Sequence, residues 1–229
     1  YSQIRGYIQE QYIMRLIKET LDEVTIIPEV TYTKKSQCSG PDVSVIENKT
    51  NRMIVIESKS RRLRAITRVD PTYENLFENW EDVISAFDKV PGKIEDMYVG
   101  YKEYSPYQET INKTKESEKL VVVVTGEGGF FQAEQFNNLI KHSSSNRIFT
   151  DYPYPFCIMD LQTLEHALDV ISCDKNISLF DLLLEYSYDS KEVGRNKNPA
   201  ELFRRRTRDP RNSLTFKYSN EFISELSIK

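Results

Sequence analysis

The stretch that most constrains this chain is P-D-V-S-V-I-E-N-K-T-N-R-M-I-V-I-E-S-K-S, residues 41–60. It reads as two short apolar strands, 42–47 and 52–58, around the turn-rich E-N-K-T-N. Side chains two apart along a strand share a face. Met53, Val55, Glu57 and Lys59 therefore lie on one side, with Ile54, Ile56 and Ser58 on the other. In mid-sheet, an apolar face ending in a glutamate and a lysine would bury charge at a cost on the order of several kcal/mol. At a strand end it opens into a cleft. With 48–51 as a four-residue hairpin loop, Glu47 pairs with Arg52 and Asp42 falls opposite Glu57. Facing cross-strand neighbours sit about 5 Å apart at Cβ, so two carboxylates there repel unless positive charge comes between them. A divalent cation supplies that charge, and hard oxygen ligands with room for water suit Mg²⁺. Asp42 and Glu57 are thus the expected metal ligands. Lys59, one pleat on, is placed either to orient and deprotonate a water or to stabilise developing negative charge, and both roles stay open.

Around this hairpin the chain reads as α/β. Residues 3–21 repeat Ile4, Ile8, Tyr12, Leu16 and Ile17 at helical spacing, and 24–33 reads as a strand with Pro28 at an edge or bulge. A second helix is expected over 72–89, with Leu76, Trp80, Val83, Ile84 and Phe87 as its core face and Pro91-Gly92 as its stop. Residues 94–101 read as a short strand or helix end, and 102–118 as a polar surface loop or partly helical excursion. Then strands and helices alternate: K-L-V-V-V-V-T, F-F-Q-A-E-Q-F-N-N-L-I-K, P-F-C-I-M-D, L-Q-T-L-E-H-A-L-D-V-I. This rhythm predicts parallel pairing in a mixed sheet with helices on its faces. One more helix follows at 178–186. The expected division is a domain over 1–186 and a polar, Arg-rich extension over 187–229.

The 229 residues, 39% apolar and 29% charged, suffice for one good core but leave little room for two. A net charge of −4 argues against generic polyanion binding, so any nucleic-acid contact must come from local basic patches. Three scattered cysteines, Cys38, Cys157 and Cys173, give neither a disulfide framework nor a zinc knuckle. The longest apolar run, L-V-V-V-V at 120–124, is far short of a membrane span. No signal peptide is read, and a cytoplasmic location without membrane attachment is the expectation.

P-D at 41–42 followed by E-S-K at 57–59 resembles the PD-(D/E)XK nuclease superfamily, the restriction-endonuclease-like fold. The order helix, strand, P-D strand, E-x-K strand, helix is similar to that fold's core over roughly residues 4–172. E-S-K-S-R-R-L-R is also similar to an E-C-K-x-[KR]-R-[LM] pattern of uncharacterised bacterial members, with Ser58 in place of their cysteine. The resemblance implies metal-dependent phosphodiester hydrolysis, most often of DNA and commonly in restriction, repair or anti-phage defence, with Mg²⁺ as cofactor and Mn²⁺ as a substitute. An initial helix in the family often carries a further glutamate after a glycine. G-Y-I-Q-E places Glu10 in that catalytic role, with Glu19 as the fallback. Two rivals stay open: a catalytically inactive module binding nucleic acid or a partner, and an RNA endonuclease, since viral cap-snatching enzymes use a similar acidic site. A homodimer or a partner protein is also left open.

Other candidates are weaker. Arg61 and Arg62, with Arg64 and Arg68 beyond, follow the E-S-K strand as a phosphate clamp or a solvated loop. Arg204, Arg205 and Arg206, with Arg208 and Arg211, would track a nucleic-acid backbone or dock on an acidic partner. Glu29 reads as solvent-facing with a supporting role at the metal as the alternative, and Glu47 as surface. T-G-E-G-G-F-F at 125–131 fits a tight strand-to-helix turn better than a phosphate loop. His142 and His166 do not suggest zinc.

Overall fold

The central strand of the molecule is the E-S-K strand, and its surroundings explain why it can be so apolar. A computed structural model describes residues 2–32, 39–60, 72–126 and 152–187. Strands β1 (Val24–Pro28), β2 (Val43–Glu47), β3 (Met53–Lys59), β4 (Lys119–Thr125) and β5 (Phe156–Asp160) form one sheet in sequence order. β1–β2–β3 are antiparallel, and β3–β4–β5 are parallel. The parallel part accounts for the L-V-V-V-V run: helices cover both faces of such strands, and β4 is buried along its whole length. Chain 3–21 is the helix α1 (Ser2–Thr20), and 178–186 includes the helix α5 (Leu179–Glu185). Between them come α2 (Tyr73–Tyr98), a 3₁₀ turn (Lys102–Tyr107), α3 (Gln108–Lys113) and α4 (Leu161–Cys173).

Strand alternation divides the core into two layers. Ile46, Met53, Val55, Val121 and Val123 face α2 through Val83, Phe87, Val90, Ile94 and Met97. Val43, Val45, Ile54, Ile56, Val122 and Val124 face α1, α4 and α5 through Ile13, Leu16, Leu168 and Leu183. None of the described helices is long and apolar enough to cross a membrane. Cys157 is buried, with its thiol donating to Leu183 C=O, and Cys173 is exposed. Cys38, the helix expected from F-F-Q-A-E-Q-F and the extension 188–229 lie outside the described residues.

Three expectations need correction. First, Pro91-Gly92 does not stop α2, which runs on to Tyr98. An interior proline costs roughly 3 kcal/mol and a glycine roughly 1 kcal/mol. Beyond them Ile94 and Met97 keep the helical spacing of Phe87 and Val90 and are fully buried, each contributing about 1.5–3 kcal/mol. Packing thus offsets the two breakers. Second, β1 ends at Pro28 rather than continuing to 33, and it is an edge strand where a missing N–H is tolerated. Third, Glu47 is no surface residue. It holds Arg52 (3.0 Å) and accepts from Ser178 Oγ (2.5 Å), while Arg52 reaches Asp181 (2.5 Å) and lies over the Phe180 ring. This network ties the hairpin to the start of α5.

The segment 102–118, expected as a surface loop or a partly helical excursion, is partly helical and sends Tyr104 and Ile111 into the core. Tyr104 abuts Gly40, immediately before the P-D step: a Cβ on Gly40 would lie 1.9 Å from Tyr104 Oη. That hydroxyl is buried without a hydrogen-bond partner among the described residues. Gly40→Ala should therefore destabilise the fold by about 1–3 kcal/mol through overpacking. Tyr104→Phe alone should be close to neutral, since it removes an unpaired polar atom, and in the double variant it should recover part of the loss. Thermal melts of the four proteins check this; equal losses with and without the hydroxyl would refute the contact.

Candidate functional site

The hairpin register sets the site. Glu47 N–H donates to Arg52 C=O (3.0 Å), and Val43 pairs with Ile56. Hydrogen-bonded and non-hydrogen-bonded pairs alternate along an antiparallel ladder. Counting from 47–52, the pair 42–57 is of the non-hydrogen-bonded kind, in which facing side chains come closest. Asp42 and Glu57 both belong to the face covered by α2. Where β2 has ended, Asp42 Oδ2 replaces a strand carbonyl and accepts from Ser58 N–H at 2.7 Å, which orients the carboxylate. Glu57 is only 1% exposed.

Lys59 lies where the alternation puts it, with Nζ 3.5 Å from Glu57 Oε2. A second ammonium, unanticipated from the sequence, is closer. Lys93, on α2 just past Pro91-Gly92, places Nζ 2.6 Å from Glu57 Oε1 and 3.8 Å from Asp42 Oδ1, bridging the two carboxylates. It was hidden by the expected helix stop. The signal that would have revealed it is the apolar series Val90, Ile94, Met97, which carries the helix, and with it Lys93, along the sheet.

α1 supplies Glu10. Its carboxyl Oε1 and Ser60 Oγ, just beyond β3, are each 3.8 Å from where a Cβ on Gly6 would stand. Gln9 Nε2 donates to Val124 C=O (3.2 Å) and anchors this end of the helix to β4. The fallback Glu19 is nine residues, roughly 13 Å, further along α1 and pairs with Arg15 (2.8 Å). It takes no part. Glu29, exposed just after β1, acts through its charge on Glu10 and Lys93. His166 lies 3.9 Å from Asp169, on α4. Arg61, Arg62, Arg64, Arg68, His142, Arg204, Arg205, Arg206, Arg208, Arg211 and the glycines past Gly126 in the 125–131 turn lie outside the described residues.

The electrostatics are those of a site short of positive charge. Burial, then Asp42, then Glu29 push the Glu10 carboxyl up to about 7, with Lys59 opposing. Burial and then Asp42 also raise Glu57, against the pull of Lys93 and Lys59. Burial alone would lower Lys93, but attraction to Glu57, their hydrogen bond and the charges of Asp42 and Glu29 outweigh it, and its proton is held more tightly than in water. Among the described residues, four carboxylates thus meet two ammoniums, and the surplus is relieved by retaining protons.

Do these residues fit a metal? The donors are all hard oxygens, and the raised carboxyls mark a place where another cation would be stabilised. No group of three or more His, Cys, Asp or Glu side chains among the described residues could hold an ion by itself. The fit is to an ion that takes one or two carboxylates and completes its shell with water and substrate oxygens, as Mg²⁺ does. Lys93 now supplies part of the charge such an ion would bring. A cleft of about 470 Å³ lies away from these groups, between the hairpin turn and the α4–α5 connection, and its charged walls are paired to one another.

Comparison of the chain with protein-family models, with curated proteins and with solved structures finds no match in any of the three. The class that the fold defines is a mixed α/β domain with a five-stranded mixed sheet flanked by helices.

The raised Glu10 makes a pH prediction. Its folded value, about 7, exceeds the ordinary 4.5, so between these pH values the native state binds more protons than the unfolded chain, and stability falls as pH rises through that window. Glu10→Gln should gain on the native protein from pH 5 to 8 and match it near pH 4. Denaturant midpoints across pH check this, and a difference independent of pH would reject the assignment.

Proposed function

We propose that this chain is a metal-dependent phosphodiesterase of the PD-(D/E)XK, restriction-endonuclease-like type, a nuclease acting on DNA in the first instance. The observation that carries the reading is the facing pair Asp42 and Glu57 at the end of a buried hairpin, with Lys59 on the same face and Glu10 brought in by α1. Sheet order and strand directions also accord with it: an antiparallel P-D/E-x-K hairpin joined in parallel to β4.

Asp42 and Glu57 would hold the Mg²⁺, which when bound neutralises charge on a phosphoryl oxygen and lowers the pKa of a coordinated water. The chain's own groups do the rest. The Ser58 N–H keeps Asp42 aimed across the ladder. Lys59, anchored beside Glu57 and partly open to solvent, offers its ammonium to the charge that develops on the phosphate. Glu10, with a carboxyl near neutrality, can accept a proton at Oε1 or Oε2 at working pH.

One observation favours a second reading. Lys93 already bridges Asp42 and Glu57, and a site neutralised from within is also what an inactive binding module would need. Cleavage separates the two. Plasmid, linear duplex, single-stranded DNA and RNA are incubated with Mg²⁺, Mn²⁺ or EDTA, using the native protein, Asp42→Ala and Lys59→Ala. The expected result is cutting that needs metal and that each substitution lowers by about 100-fold or more, with the cut substrate deciding DNA against RNA. No cutting, together with no Mn²⁺ binding by calorimetry, would establish the inactive module.

A further inference from the structure

Lys59 ends β3 and Ser60 follows it, and the two side chains go to opposite sides. Lys59 turns to the carboxylates, while Ser60 belongs to a small cavity of about 250 Å³ beneath α1. Its described walls are Arg5, Ile8, Gln9, Tyr12, Ser60, Gly126 and Leu161. Ile8 and Leu161 are apolar walls, Tyr12 is an aromatic one, and Arg5 offers a planar cation. Gln9 spends its Nε2 on Val124 C=O, which leaves its Oε1 to accept. That oxygen is held at the β4 end: a Cβ on Gly126 would come within 2.8 Å of it and within 3.4 Å of the Ser60 Cα. A side chain at 126 would press on the Gln9 amide, so glycine leaves that amide in place beside the strand end. On the solvent side of α1, Ile4, Tyr7 and the rim residue Ile8 expose 62%, 62% and 59% of their surface. They recur at helical spacing on the α1 stretch that carries Glu10.

We propose that this cavity receives an unpaired nucleobase next to the scissile phosphate, with exposed Tyr7 as a stacking surface for a neighbouring base. The inference rests on the nuclease reading above and specifies its substrate: a single-stranded or locally unpaired nucleotide. A flat ring between apolar side chains, with an arginine plane nearby and an amide oxygen at its edge, is the kind of environment that holds bases without strong sequence preference. The volume is below that of a typical drug-sized site, which suits one ring system rather than a larger ligand. Position links cavity and chemistry. The backbone passes from Lys59 to Ser60 in one residue, and a strand seated with a base on the Ser60 side brings its adjoining phosphate over the end of β3 toward Lys59. The same helix contributes to both sides, Arg5, Ile8 and Gln9 to the base and Glu10 to the carboxylates.

The test compares binding of a fluorescent oligothymidylate single strand with that of a strand of the same length and phosphate count carrying consecutive abasic sites. It is run in EDTA so that nothing is cut, with a duplex as the third ligand. The native protein should bind the base-bearing strand about tenfold more tightly than the abasic one. Ile8→Trp, which fills the cavity from an exposed position, and Tyr7→Ala should each remove most of that preference while leaving the melting temperature and the affinity for the abasic strand unchanged. Asp42→Ala should keep the preference. Equal affinity for the two strands, tightest binding to duplex, or a preference that survives Ile8→Trp would each overturn the proposal. Base-dependent binding by a protein that cuts nothing would reject the nuclease reading and keep the pocket. Metal-dependent cutting without base dependence would do the reverse.

Discussion

The register of the β2–β3 hairpin is the constraint on which the other features depend. With Glu47 hydrogen-bonded to Arg52 and Val43 facing Ile56, Asp42 meets Glu57 on the face covered by α2. A slip of one residue would turn the side chains of the slipped strand to the opposite face. Both faces are apolar and buried, so a slip of β3 would drive Glu57 into the layer under α1 and α4 and bring Ile54 and Ile56 against Lys93. Hydrophobic burial therefore enforces the juxtaposition of two like charges that would otherwise avoid each other. The turn helps: Asn51 takes a left-handed conformation (φ 56°) that asparagine tolerates better than most residues.

The repulsion created in this way is met from three sides. Lys59 comes with the strand itself, Lys93 from α2, and Glu10 responds by holding a proton up to about pH 7. Breaking such an arrangement by deleting one partner leaves an uncompensated buried charge, which is costlier than the pair is stabilising. The site is therefore balanced but not saturated, and balance of that kind is compatible both with admitting a cation and with doing without one. The distance of 2.6 Å between Lys93 Nζ and Glu57 Oε1 makes this lysine the group with which an entering ion would compete.

Much of this was legible along the chain. The hairpin, its four-residue loop and the facing of Asp42 and Glu57 follow from period-two alternation and turn chemistry, and the parallel pairing from the alternation of strands and helices; all are local properties. Lys93 was not legible, because Pro91-Gly92 is a strong local stop that only the burial of Ile94 and Met97 overrides. Glu47 read as a turn carboxylate, because its partner Ser178, and the Asp181 that Arg52 also holds, stand about 130 residues away in sequence. Glu10 and Glu19 stand nine residues apart, about two and a half turns, and so on opposite sides of α1; the anchoring of Gln9 to Val124 C=O holds the Glu10 end of the helix against the sheet.

By itself the sequence determined the strands, their facing side chains and the chemical kind of the cluster, since those depend on neighbours within a few residues. Only the tertiary structure decided the charge balance of the site and the room around it. Those depend on how far α2 runs along one face of the sheet and how closely α1 settles on the other. Both are settled by packing between segments far apart in the chain, whose energies no local pattern contains.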